Sequence, residues 1–324
     1  MHGDHVPASP AKLAPAETIP LEERPVDDSG RGRRRHVRDI AVWLLAVLVT
    51  AYAAVIVGAN PAMRWDSIGK FLTAPIILQG LGVTILLTVA SAIIGFASGL
   101  VIALMRMSAN PLIRTIAIGY LGFFRAVPLL VQLLIWYNLG TFFPRLGIGI
   151  PFTDIGIYGA TNDLLPPITA CLVAIGLNQA AYMGEIIRGG LISVQPGQIE
   201  AATALGMTRA KAFRRVIAPQ AARSIIPPLG NDTINLLKAT SLVSIVGVGD
   251  LMTRAQGIYA TNYQVIPLLI VASIWYLALT AVISVVQGLL ERRLSIAHTA
   301  DRTASARTFA RLWPRLTGRQ EVTQ

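Results

Sequence analysis

The sequence predicts an all-α membrane protein with about six transmembrane helices and a long cytoplasmic loop, on three observations. Only 14% of its 324 residues are charged while 53% are hydrophobic, and the mean hydropathy is +0.58. A soluble domain is about 25% charged, so this chain lacks the polar surface to cover a water-facing globule. Apolar runs recur at about 40–59, 78–104, 116–140, 165–187, 224–250 and 265–290, each near the roughly 20 residues that cross a bilayer. Finally, 22 of the 28 Lys and Arg fall on one alternating set of connecting segments, four on the other, and two (Arg125 and Lys238) within spans. The positive-inside rule then puts both termini and the 188–223 segment in the cytoplasm. That partition accounts for the net charge of +11 without a nucleic-acid partner, for which aromatic interleaving of a basic patch is missing. The single cysteine, Cys171, lies inside an apolar run, and His2, His5, His36 and His298 lie in the tails. Neither a disulfide scaffold nor a metal site is expected.

Along the chain, residues 1–38 hold five prolines and the run Arg31-Gly32-Arg33-Arg34-Arg35 without periodicity. They read as a disordered cytoplasmic tail, its arginines fixing the orientation of a first helix at 39–60 against anionic lipid. A cleavable secretory signal is the competing reading. The charged region is too long for one, and no clear small-residue cleavage site follows the apolar run. Residues 60–77 form a short external linker with the interfacial Trp65. From Pro75 the apolar runs become rich in Gly80, Gly82, Thr84, Thr88, Ser91, Gly95, Ser98 and Gly99, small residues whose spacing lets membrane helices approach closely. The external loop at 141–164, with Pro144, Pro151, Asp154 and Asp163, is long for a helical hairpin. It reads either as holding a short interfacial helix or as contacting an external partner. A membrane domain over 75–292 ends at Glu291-Arg292-Arg293, and 293–324 forms a basic cytoplasmic tail at the inner leaflet.

The 188–223 loop carries the most distinctive pattern. Pro196-Gly197 opens a helix over 198–205, in which Ala201, Ala202 and Leu205 are expected to share one small-residue face. Gly206 is its natural stop, in the left-handed conformation that a β-carbon penalises. Thr208 then caps a second helix from Arg209 to about Ala218, ended by Pro219. Two short helices meeting at a glycine elbow, with Arg209, Lys211, Arg214 and Arg215 alongside, suit either a docking surface for another protein or an amphipathic pair lying on lipid.

Glu200-Ala201-Ala202 followed by Gly206, with Val216 and Ala218-Pro219 further on, resembles the EAA loop of bacterial ABC importer permeases. Flanking stretches are similar to the histidine/glutamine-type permeases of polar-amino-acid importers. Gln79-Gly80 through Thr84-Ile85 resembles their Gly-x-x-x-Thr-Leu opening. Arg125-Ala126-Val127-Pro128-Leu129-Leu130-Val131-Gln132 resembles their Arg-Gly-Thr-Pro-Leu-Leu-Val-Gln run. Ala181-Tyr182-Met183-Gly184-Glu185-Ile186-Ile187-Arg188-Gly189-Gly190 and Leu236-Leu237-Lys238-Ala239-Thr240-Ser241-Leu242 also fit. The resemblance covers about 76–292. Ala126-Val127 departs from the usual Gly-Thr, and Ala218 from the usual Leu.

The resemblance implies a type I ABC importer transmembrane fold, with Glu200, Ala201, Ala202, Leu205, Gly206, Val216 and Pro219 as the ATPase-coupling surface. It further implies a multi-pass subunit of the bacterial cytoplasmic membrane that works with an ABC ATPase dimer, an extracytoplasmic substrate-binding protein, and a second permease copy or sibling. No Gly-x-x-x-x-Gly-Lys-Ser/Thr loop is present. ATP and magnesium are therefore expected in the partner ATPase, with no cofactor and no catalytic residue here, and a polar amino acid as cargo.

Arg125, Glu185, Asp232 and Lys238 fall within apolar spans, each costing about 2.5–3.5 kcal/mol at a helix centre on insertion scales. They must pair, reach the interface or line a wet cavity. Glu185 has Arg188 within helical reach. Arg125, before Pro128, pins a bent helix or touches substrate. Asn231, Asn235 and Lys238 share a helical stripe by spacings of four and three, as a helix facing a translocation path would. Gln132 and Asn178 are further candidates for that path, or cross-links between helices. The two cations and two acids cancel, so charge alone selects neither acidic nor basic cargo. The alternative function is an ion- or proton-coupled secondary transporter using these carboxylates as a relay, which leaves the Ala-rich loop unexplained. A membrane scaffold would have no use for so polar a fifth span.

Overall fold

The computed structural model describes residues 29–149 and 156–317, and they divide into two units at Pro61/Ala62. The first unit holds α1 (Ser29–Ala59), whose stretch Val42–Ala59 is apolar and long enough to cross a membrane. The helix starts ten residues before the end of the expected disordered tail; residues 1–28 of that tail lie outside the described residues. Leu44, Leu48 and Val55 stand exposed along α1, as they would toward hydrocarbon.

The second unit begins with α2 (Trp65–Leu72), an amphipathic helix in the 60–77 segment, and α3 (Pro75–Arg106). Next come α4 (Pro111–Ala126) and α5 (Leu129–Tyr137), the short α6 (Leu139–Phe142), strands β1 (Arg145–Gly149) and β2 (Gly156–Ala160), and the short α7 (Thr161–Leu164). The long α8 (Pro167–Ile192) leads into α9 (Pro196–Ala204), α10 (Arg209–Ala212) and α11 (Ala218–Ala239). The chain closes with α12 (Leu251–Asn262) and α13 (Val265–Thr317). Proline opens α3, α4, α8 and α9, a first-turn position where its missing N–H breaks no helical bond. Asn110 caps α4 by accepting from Leu112 N at 2.9 Å, and Asp250 caps α12 by accepting from Met252 N at 3.1 Å.

Helices α3 and α8 form the centre of the bundle. Gly80, Thr84, Thr88, Ser91, Gly95 and Gly99 form the buried stripe of α3, at spacings of three and four. Gly82 and Ser98 fall off it. A β-carbon on Gly99 would lie 2.9 Å from Gly184 N and 3.1 Å from Ala180 O, so the two backbones are in contact there and only glycine permits it. Leu87, Leu133, Cys171, Ile175 and Leu236 tie α3, α5, α8 and α11 into one apolar cluster, joined by Val243 from just beyond α11. Ile68, Ile77, Leu251, Leu268 and Val271 join α2, α3, α12 and α13 in a second, braced by Trp275 Nε1 donating to Leu72 O at 2.9 Å.

Several expected spans have a different form. The 116–140 run is a bent pair, α4 and α5 meeting at 100°. Proline 128 cannot supply the amide that would continue α4, and it disfavours helical geometry at Val127, which is extended at ψ 129°. The 224–250 run is not a uniform span either. It is α11, starting at Ala218 and containing Pro227 and Pro228, followed by a 3₁₀ segment Thr240–Ile245. By length and hydropathy, four described helices qualify as spans, or five counting the bent pair; α11 is too polar to join them. The 141–164 loop contains an antiparallel hairpin, Arg145 pairing with Ala160 and Gly149 with Gly156, flanked by short helical turns. The last helix runs unbroken past 292 into the expected tail, as far as Thr317.

Candidate functional site

The 188–223 loop builds its elbow from backbone bonds. After α9, Gly206 N donates to Thr203 O at 2.9 Å and Met207 N to Ala202 O at 3.1 Å, the paired bonds of a Schellman ending. Gly206 sits at φ +68° with nothing within 4 Å of a notional β-carbon; conformation, not space, calls for glycine there. Thr208 caps α10 by accepting from Lys211 N at 3.4 Å.

The loop departs from its expected form at two places. Ala202 is buried at 2% exposure, whereas Ala201 is exposed and Leu205 is 77% exposed. Positions 201 and 205 lie one helical turn apart, while 202 is rotated about 100° from 201 and turns inward. Pro219 does not end the second helix. Phe213–Ile217 forms a π turn, with Ala218 N donating to Phe213 O, and Pro219 occupies the first turn of α11. The wider turn relieves the clash a proline ring makes with the carbonyl four residues back. The outward face of the loop thus presents Glu200, Ala201, Leu205 and Gly206, with Pro219 exposed and Val216 half-buried. It also exposes Ile199 and Phe213, which an alanine-centred reading of the motif overlooks.

At the α4–α5 break, Gln132 and Asn178 have a structural task. Phe124 O would ordinarily accept from residue 128, a proline. It accepts instead from Gln132 Nε2 at 3.0 Å and from Asn178 Nδ2 at 2.9 Å, and Gln132 Nε2 also reaches Val127 O at 2.8 Å. Both side chains are buried, so the donor ends of both amides are committed to the bend. The guanidinium of Arg125 lies 5.7 Å from the centre of the Tyr182 ring. Glu185 and Arg188 form an ion pair at 2.9 Å, one helical turn apart on α8.

On α11, Asn231, Asn235 and Lys238 are all exposed along one side. Gln287 of α13 donates to Pro227 O at 3.2 Å and approaches Asn231 Oδ1 at 3.4 Å. Asp232 is turned to the other side, accepting from Gln179 of α8. Gln179 and Gln287 carry no motif, and only the packing of α8 and α13 on α11 reveals them. A cavity of about 510 Å³ opens between α3, α4 and α8, lined in part by Arg106, Arg125, Tyr182 and Glu185. Among the described residues no group of three His, Cys, Asp or Glu could hold a metal.

Residues 94–296 match the family described as binding-protein-dependent transport system inner membrane component. The chain is 36% identical over 301 residues to an arginine transport system permease protein of Corynebacterium glutamicum, covering 92% of this chain and 90% of that one. It is 39% identical to an L-cystine transport system permease protein of Bacillus subtilis, over 72% of this chain and 92% of that one. Among solved structures, an amino acid ABC transporter crystallised with histidines superposes with a TM-score of 0.57 at 40% identity, over 68% of this chain and 94% of that one.

Proposed function

Because this chain belongs to the inner membrane components of binding-protein-dependent transport systems, we propose that it moves a polar amino acid inward across the cytoplasmic membrane, driven by a separate ATPase docked on the 198–219 loop. It is a membrane-embedded, multi-pass permease subunit of an ABC importer, with the type I importer fold and no ATP site of its own. The partner subunit hydrolyses ATP, with its magnesium, and an external binding protein delivers the cargo. A second permease copy or a sibling completes the pathway. Both termini lie on the cytoplasmic side in this reading, by the partition of Lys and Arg. The first helix, expected at 39–60 and running over Ser29–Ala59, is additional to the transport domain at 75–292.

One observation carries the coupling role. The Schellman-closed elbow holds Leu205 at 77% exposure beside Glu200 and Ala201, an apolar knob on a rigid turn suited to a partner's groove. Ligand and nucleotide can shift access only through different affinities for the inward and outward states, and a rigid elbow transmits such a difference. Asn231, Asn235 and Lys238 line the substrate path in this reading, since a lipid-facing helix would not keep that stripe, and Arg125 joins them. Gln132 and Asn178 act on the path indirectly, by holding the bend. The relay alternative leaves the elbow without a task.

Leu205→Asp tests the docking directly, because the exposed position tolerates charge without disturbing the fold. The variant is expected to insert and to melt like the wild type while losing co-purification of the ATPase. Retention of the ATPase at wild-type stoichiometry would remove the loop from the coupling role.

A further inference from the structure

Helix α13 is apolar on either side of Gln287, where Val285, Val286, Leu289 and Leu290 all stand exposed. A lone amide among them needs partners that hydrocarbon does not supply. Gln287 finds one on α11 and one a turn along its own helix. Its Nε2 donates to Pro227 O at 3.2 Å and to Glu291 Oε1 at 2.8 Å, which uses both amide hydrogens. Asn231 Oδ1 lies alongside at 3.4 Å. The side chain rests directly on Gly230, where a β-carbon would stand 2.6 Å from both Cγ and Oε1 of Gln287. The missing side chain at 230 is what lets the amide reach the backbone of α11.

The contact falls at the weakest point of α11. Pro227 and Pro228 lie inside this helix and have no amide hydrogen, so two consecutive helical bonds are deleted. On the loop side of the break, Ser193 Oγ at the end of α8 donates to Ser224 Oγ at 3.0 Å. Gly190 of α8 also admits Ala221 O to within 3.2 Å of where its β-carbon would be. Beyond the break come Asn231, Asn235 and Lys238, the stripe placed on the substrate path above. A helix bends where prolines interrupt its bonds, and a bend here would absorb a displacement of the 198–219 loop before it reached the stripe. We infer that Gln287 is a positioning residue for transport: its amide splints the Pro227-Pro228 break, so that movement of the loop is carried along α11 to the path. This rests on the transport reading above and deepens it.

The test reconstitutes the full chain with its ATPase and binding protein in proteoliposomes. Labelled standard L-amino acids are supplied, the one that wild type imports fastest serving for every variant. The quantity read is amino acid imported per ATP hydrolysed, which a change in folded yield does not move. Gln287→Met nearly keeps the length and volume of the side chain but donates nothing. It should hold the ATPase at wild-type stoichiometry and lower the ratio about threefold to tenfold, the size of one hydrogen bond. Gln287→Lys restores a donor beside Glu291, its ammonium reaching toward the inner interface. It should return the ratio to within about twofold of wild type. Where Gln287→Met fails to assemble, Gly230→Ala displaces the amide with Gln287 still present and should lower the ratio by the same amount.

A wild-type ratio in Gln287→Met, or in Gly230→Ala where it stands in, overturns the role. Equal losses in Gln287→Met and Gln287→Lys make the contact one of shape and not of donation, and overturn it too. Both results leave the transport reading standing, since wild type still imports. Absence of ATP-dependent import in wild type removes that reading and this role together.

Discussion

Replacing Gln132 with Leu tests whether a side chain from beyond the break holds the α4–α5 bend. Gln132 is 2% exposed, and its Nε2 donates to Phe124 O at 3.0 Å and Val127 O at 2.8 Å. Leucine conserves volume but leaves Val127 O without that donor, a loss of about 1–3 kcal/mol for a buried acceptor. Part is regained, because Gln132 Oε1 is itself buried with no partner. The net expectation is a destabilisation of about 1–2 kcal/mol.

Asn178→Leu alone removes one of two donors to Phe124 O and costs about 0.5–1.5 kcal/mol. The double variant leaves that carbonyl with neither donor, while the residue that would supply the helical amide is Pro128. Its loss therefore exceeds the sum of the singles by about 1 kcal/mol or more. Equilibrium unfolding in mixed micelles of the four proteins gives the coupling energy. Additive losses within about 0.3 kcal/mol would refute a shared carbonyl and return both amides to candidacy as substrate contacts.

Gly99→Leu forces a side chain into the backbone of Gly184 and Ala180, so it should lower the melting temperature or abolish folded yield, at about 1–3 kcal/mol or more. Gly206→Val meets no neighbour but must hold φ near +68°, costing about 1–2 kcal/mol. It should reduce nucleotide-coupled uptake while membrane insertion stays normal, as read by transport against surface yield. Thr84→Val removes the acceptor of Leu251 N at 3.0 Å and should destabilise by about 1–3 kcal/mol, detected as a lower unfolding midpoint.

Much of this architecture is legible in the residue pattern. The apolar runs locate α1, α3, α8 and the apolar part of α13, and Gly206 and Thr208 mark the elbow by their capping preferences alone. What escapes the pattern depends on partners distant in sequence. Pro128 announces a break, but the bend of 100° is held by Asn178 from another helix, which no local rule supplies. Pro219 looks like a stop because the π turn that absorbs it has no sequence signature of its own. The hairpin over 145–160 is rich in glycine, and its alternation is too short to compete with a loop reading. Spacing places Ala202 with Ala201 and Leu205 on one small-residue face, but the 100° step from 201 to 202 turns Ala202 inward. The Arg106–Glu185 cavity joins three helices and is visible in no single one of them.

ATP-driven import of an amino acid can be measured in proteoliposomes holding the chain with its ATPase, the binding protein outside and ATP inside. A labelled polar L-amino acid should accumulate only where ATP, binding protein and an intact Leu205 are all present. Accumulation that persists without ATP hydrolysis, driven by a proton or sodium gradient, would make the chain a secondary transporter instead.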